Sequence, residues 1–173
     1  MASPEAQPGD AQAVPEFVIV MDFDATQAQV WAALTQAEQL AQWWGPPGME
    51  LGVAQFDLRP GGLFHFRLRG PDGQELWARW VFREIEAPAR LVFVLSFSDE
   101  QGGITRQPGT PDWPLEMLTT ITLAPVGESV RVTLRSEPLN ATAEERKTFR
   151  EGFPSMQQGF GAAFQQLWSL LTG

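Results

Sequence analysis

The sequence predicts an α+β fold: a curved antiparallel sheet of seven strands, a long carboxy-terminal helix lying across one face of it, and two short helices after the first strand. Three observations carry this reading. Seven runs show the alternation or β-rich composition of strands, and the breaks after the second strand are rich in Gly and Pro. Those breaks are too short to hold crossover helices, so neighbouring strands run antiparallel. The last stretch, from Ala143 to Leu171, changes to the three-and-four spacing of an amphipathic helix. At 173 residues the chain has the usual length of one domain with one core.

Residues 1 to 15, rich in Ala, Gln and Pro with Val14 as the one large aliphatic, bury too little apolar surface to offset the entropy of ordering them, and read as a flexible tail. Strict alternation then sets Phe17, Ile19, Met21 and Phe23 against Val18, Val20, Asp22 and Asp24, which is the first strand. Asp24 or Thr26 is placed to cap a helix with Val30, Trp31 and Leu34 on one face, and Thr35 to cap a second through Leu40, Trp43 and Trp44, stopped by GPPG at 45–48. Strands follow at 49–58, 63–69, 76–85, 91–97, 117–123 and 130–134, with the turns RPGG, GPDG, APAR and APVGES among their connections. The stretch 98–115 is longer than a hairpin needs and is expected to be mobile. The final helix is interrupted near Pro154 and then presents Met156, Phe160, Ala163, Phe164, Leu167, Trp168 and Leu171, with Gly159 and Gly161 expected to allow close approach to a partner surface.

Charge excludes several classes of function. The net charge is −9, yet residues 1–58 hold eight acids and no Lys or Arg, while the remainder is nearly balanced. Nucleic acid and anionic membrane both require a clustered positive footprint, so neither is an expected partner. Without Cys there are no disulfides, thiolate nucleophiles or Cys-ligated metals. The opening offers no basic, then apolar, signal segment, and no run is long enough to span a bilayer, so the chain reads as cytoplasmic.

Taken in order, the segments FDATQAQVWAALTQAEQLAQWWGPPG (23–48), FDLRPGGLFHF (56–66), RGPDG (69–73) and VFREIEAPARLVF (81–93) resemble the activator-of-heat-shock-protein-90-ATPase homologue family, within the START-like or SRPBCC superfamily. The likeness covers residues 16–172, which form a single domain. It implies the helix-grip fold, a seven-stranded antiparallel sheet gripping the final helix around a cavity that often holds an apolar ligand. It does not fix one chemistry. The superfamily includes ligand carriers, cyclases, hydrolase-like proteins and co-chaperones, and the eukaryotic ATPase activators of the stress response carry a further amino-terminal domain that this domain does not match.

Alternation separates an inward set, Phe64, Phe66, Trp80, Phe82, Phe93, Ile121 and Val132 with Phe160 and Phe164 of the helix, from an outward set, His65, Arg67, Arg69, Arg79, Arg83, Arg131 and Arg135. The inward aromatics either fill the core or wall a ligand cavity, with Trp43 and Trp44 beside its mouth. Similar sequences carry a small residue at the position of Trp80, whose indole would shrink that cavity. His65, the single histidine, points away from the cavity, and no second His or Cys is present to build a metal site with it. No Gly-rich phosphate loop precedes a helix and no nucleophile–base pair is placed, so no catalytic residue, metal or cofactor is assigned. Thr119, Glu84 and Glu116 remain as polar groups inward or at the rim. Three readings stand: a binder of a small hydrophobic ligand, a co-chaperone-type partner of a chaperone, and an enzyme of cyclase or hydrolase type. Self-association is a further possibility through Trp113 of the long loop.

Overall fold

Alternation along β1 (Phe17–Phe23) sorts the side chains as the sequence implies, with Phe17, Ile19 and Phe23 buried and Val18 and Val20 exposed. The computed structural model describes residues 14–173, so the expected tail falls outside the described residues up to residue 13. Helix α1 (Gln27–Thr35) begins with a reciprocal cap: the Thr26 hydroxyl accepts from the Gln29 amide, and the Gln29 side chain accepts from the Thr26 amide. Thr35 does not cap the second helix. It closes the first, its hydroxyl donating to the Trp31 carbonyl at 2.7 Å, as Thr does when a carbonyl one turn back is within reach. Helix α2 (Ala37–Trp43) then starts after Gln36 with no side-chain cap.

Six strands follow: β2 (Glu50–Phe56), β3 (Leu63–Arg69), β4 (Glu75–Glu86), β5 (Arg90–Ser98), β6 (Met117–Val126) and β7 (Ser129–Pro138). They form one antiparallel sheet in the order β1-β7-β6-β5-β4-β3-β2, a meander from β2 to β7 with β1 added beside β7. The register lines up the inward residues across strands, Phe64 with Trp80, Phe66 with Ala78, Trp80 with Leu95 and Phe82 with Phe93. The RPGG turn shows why glycine is required there. Gly61 has φ +82°, and a Cβ on Gly62 would collide with the Asp57 carbonyl oxygen.

Two helices close the chain, α3 (Ala143–Glu151) and α4 (Phe153–Thr172). The break falls at Gly152, and Pro154 sits in the first turn of α4, where its missing N–H leaves no bond unmade. Buried Ala163, Phe164 and Leu167 seat α4 on the inner face of the sheet, and one hydrophobic core runs from Phe17 through α1, α2 and the sheet to Leu167. Among the described residues no helix is long and apolar enough to cross a membrane.

Candidate functional site

Side chains facing α4 change from bulky to small along β4. Trp80 is fully buried, stacked on Phe93 at 3.9 Å and met edge-on by Trp44 and Phe64, each at 4.9 Å. That half of the space is solid. Two residues along, Ala78 offers only a methyl between Phe66 and Phe97, and on the helix Gly159 and Ala163 face the same region. Small residues thus meet across the interface, and a cleft of about 240 Å³ opens there, walled also by Trp44, Gly45, Pro46, Leu68, Leu76, Leu95, Met156 and Phe160. A second lobe of about 180 Å³ shares Ala78, Leu95, Phe97, Met156 and Phe160 and reaches Trp113, Met117 and Ser136. No charged side chain lines either lobe.

This geometry overturns the expectation for the helix glycines. A Cβ on Gly159 or Gly161 would meet nothing within 4 Å, so neither serves close approach; Gly159 instead leaves room in the cleft. Beside the cleft, the Gln166 amide of α4 donates to the carbonyls of Trp43 (3.1 Å) and Gly45 (2.8 Å) and ties the WWGP turn to the helix. Trp43 itself is anchored by its indole N–H, which donates to the Ala33 carbonyl at 2.8 Å.

Of the residues read from the sequence as cavity-lining, the structure brings Trp44, Phe66 and Phe160 to the cleft. Trp43, Phe64, Trp80, Phe82, Phe93, Ile121 and Phe164 are fully or almost fully buried in the adjoining core and line neither lobe. Ala78, Leu95 and Gln166 were not singled out by sequence reasoning, and Met156 and Gly159 were read as helix-packing positions, not as cavity lining. A small residue in an inward position between bulky ones, as Ala78 is, was the available signal.

The polar candidates lie elsewhere. Thr119 is buried with its hydroxyl 3.1 Å from that of Ser136, so the two bond each other. Glu84 is exposed and paired with Arg90 rather than set at the cavity rim. The outward arginines are largely matched: Arg131 donates to Asp22 at 2.8 and 3.1 Å, Arg135 to Glu16 at 3.2 Å, and Arg69 to Glu75 at 2.8 Å. These bonds hold the Asp22 and Glu75 carboxyls below their ordinary range. His65 lies on the outer face yet is buried. Trp77 packs on its ring at 4.9 Å, its Nε2 sits 3.1 Å from the Asp99 carbonyl, and the turn at Gly102, which accepts from Arg79, covers it. No three metal-ligating His, Asp or Glu side chains gather among the described residues.

The stretch expected to be mobile is tethered at several points. The Asp99 carboxylate accepts from the amides of Gln101 and Gly103, the Arg106 guanidinium donates to the Trp113 carbonyl and to Glu145 of α3, and Trp113 packs on Phe149 at 5.3 Å. Burial pushes the Glu145 carboxyl up, but the bonds from Arg106 and the Thr142 amide outweigh it and leave the group below its usual 4.5.

A solution structure of an Arthrobacter aurescens protein is 31% identical, with a TM-score of 0.77, and covers 94% of this chain and 88% of its own. A Mycobacterium smegmatis protein (24% identical, TM-score 0.74, covering 91% and 90%) and the AHSA1 protein of Silicibacter pomeroyi (18%, 0.70, covering 91% and 98%) share the fold. No curated protein matches. The family described as activator of Hsp90 ATPase homolog 1-like protein matches residues 24–172, nearly the whole described chain, and this protein therefore belongs to that family, with the helix-grip fold of the START-like superfamily.

Proposed function

We propose that this protein binds a small, uncharged, predominantly apolar molecule in the two-lobed cleft between the sheet and α4. The supporting observation is the cleft itself: a space of about 240 Å³ continuing into one of about 180 Å³, with mainly aliphatic and aromatic walls, Ser96 and Ser136 in the far lobe, and no charged side chain. Apolar walls favour an apolar guest, whereas a charged ligand would shed its hydration against a lining that carries no opposite charge. The mouth by Gly45 and Pro46 supplies a route of entry.

Titration with the fluorescent probe N-phenyl-1-naphthylamine tests the reading. One saturable site is expected in the wild type, and Ala78→Phe, which places a ring in the cleft, should weaken the probe by about tenfold or more while leaving the fold intact by circular dichroism. Native mass spectrometry of the purified protein beside its denatured form should show an extra mass lost on denaturation. A wild type that neither retains a mass nor takes up the probe saturably refutes the proposal.

A further inference from the structure

The far lobe of the cleft is walled on one side by the long connection between β5 and β6, through Trp113, and the attachment of that connection has an unusual balance. On the holding side, a single guanidinium nitrogen of Arg106 donates both to the Trp113 carbonyl and to the carboxylate of Glu145, so one group clamps the tip of the connection to α3. The Glu145 side chain is 9% exposed and that of Arg106 47%, a pair at the boundary of solvent. Trp113 also packs on Phe149 and presses against Gly152, the joint between α3 and α4, where a Cβ would lie 2.8 Å from the Trp113 ring.

On the opposing side, the closed arrangement leaves two buried polar atoms of the connection without a hydrogen-bond partner, Trp113 Nε1 and Gln107 Oε1. Lifting the connection would return both to water and rehydrate Glu145. Residues 99–105 stay pinned to the sheet through His65, Arg79 and the Phe97 carbonyl, but the tip beyond them, held by one clamp and by the packing of Trp113 and penalised for staying shut, is the kind of segment that opens locally without unfolding the core beneath it.

We propose that residues 106–115 form a gate over the far lobe, with Trp113 as its leaf and Arg106–Glu145 as its latch. This rests on the cleft being the ligand site. Opening exposes Met117, Ser136 and Met156 and gives the ligand an entrance through the far lobe, separate from the Gly45 and Pro46 side of the cleft. The latch therefore governs how fast a ligand enters and leaves more than how tightly it is held.

Two variants loosen the gate by different physics. Glu145→Gln removes the charge while keeping the side chain that caps Thr142, and Gly152→Ala leaves the latch intact but forces Trp113 off the joint. In full-length protein, stopped-flow mixing with N-phenyl-1-naphthylamine should show association and dissociation both accelerated by about threefold or more in each variant, with the equilibrium constant changed less than either rate. The Trp113 signal of protein labelled with 5-fluorotryptophan, assigned by its loss in Trp113→Phe, should shift or broaden in both variants without any ligand. Rates unchanged in both, where the wild type binds the probe, refute the gate and leave the binding reading standing. Uptake by the variants alone, where the wild type retains a mass yet does not take up the probe, supports a gate that is shut at rest. No uptake by any of the three refutes the ligand site and the gate together, and an unmoved Trp113 signal refutes the latch directly.

Discussion

Trp80 is where a filled core and an open cleft meet. Its ring is fully buried between Phe93, Trp44 and Phe64, yet its indole N–H has no partner. Those two facts act in opposite directions on substitution. Trp80→Ala should cost about 3–5 kcal/mol, the usual result of emptying a large aromatic site. Trp80→Phe loses area but also removes an unsatisfied donor worth about 1–3 kcal/mol, so it should fall within about 1.5 kcal/mol of the wild type. Urea denaturation of the two variants checks this, and equal losses would contradict it. Which side chains point inward was legible from the sequence, because strand alternation decides it. Which of them border empty space was not, since that depends on Ala78 and Gly159 meeting across two elements 81 positions apart in the chain.

For the elements, the capping of α1 and the latch on α3 make separate predictions. Thr26→Ala removes the acceptor for the Gln29 amide and should lower stability by about 1 kcal/mol, read as a shifted urea midpoint with unchanged slope. The Glu145 carboxyl titrates below its ordinary value in the fold, so its contribution is fully present above that ordinary value and is lost as the pH falls through the lowered one. The gap in urea midpoint between wild type and Glu145→Gln should therefore be constant near neutrality and close on acidification below the usual 4.5, and a gap that persists there would contradict the ion pair. The capping box could be read locally, because Thr26 and Gln29 are three residues apart. The latch could not, because Arg106 and Glu145 are 39 positions apart and no periodicity joins them. Only the length of the connection flagged it. Thr35 was misplaced for a related reason: a hydroxyl between two helices serves either as the cap of one or the back-bond of the other, and the spacing is the same for both.

For the whole molecule, one core joins every layer. Phe23, Leu34, Trp43, Phe66, Phe93, Leu134 and Phe164 belong to a single buried cluster, so sheet and long helix have no separate interiors to unfold independently. Far-ultraviolet circular dichroism and tryptophan fluorescence should accordingly report coincident urea transitions, and a helix signal lost before the sheet would show that α4 is not integral to the core. Fold class and strand order along the meander were readable because turn chemistry and alternation are local. The pairing of β1 with β7 is not local, and nothing near Phe17 in the chain reveals it.

That placement has a consequence for synthesis. Asp22 of the first strand meets Arg131 of the last, 109 positions later, whereas every other strand pairs with the one just before or after it. As the polypeptide emerges from a ribosome, β2 to β6 can zip together hairpin by hairpin, while the opening strand, with Phe17, Ile19 and Phe23 not yet buried, waits for β7. Closure of the sheet at β1 thus waits on β7, and the waiting strand is the segment a nascent-chain holdase would have most reason to shield.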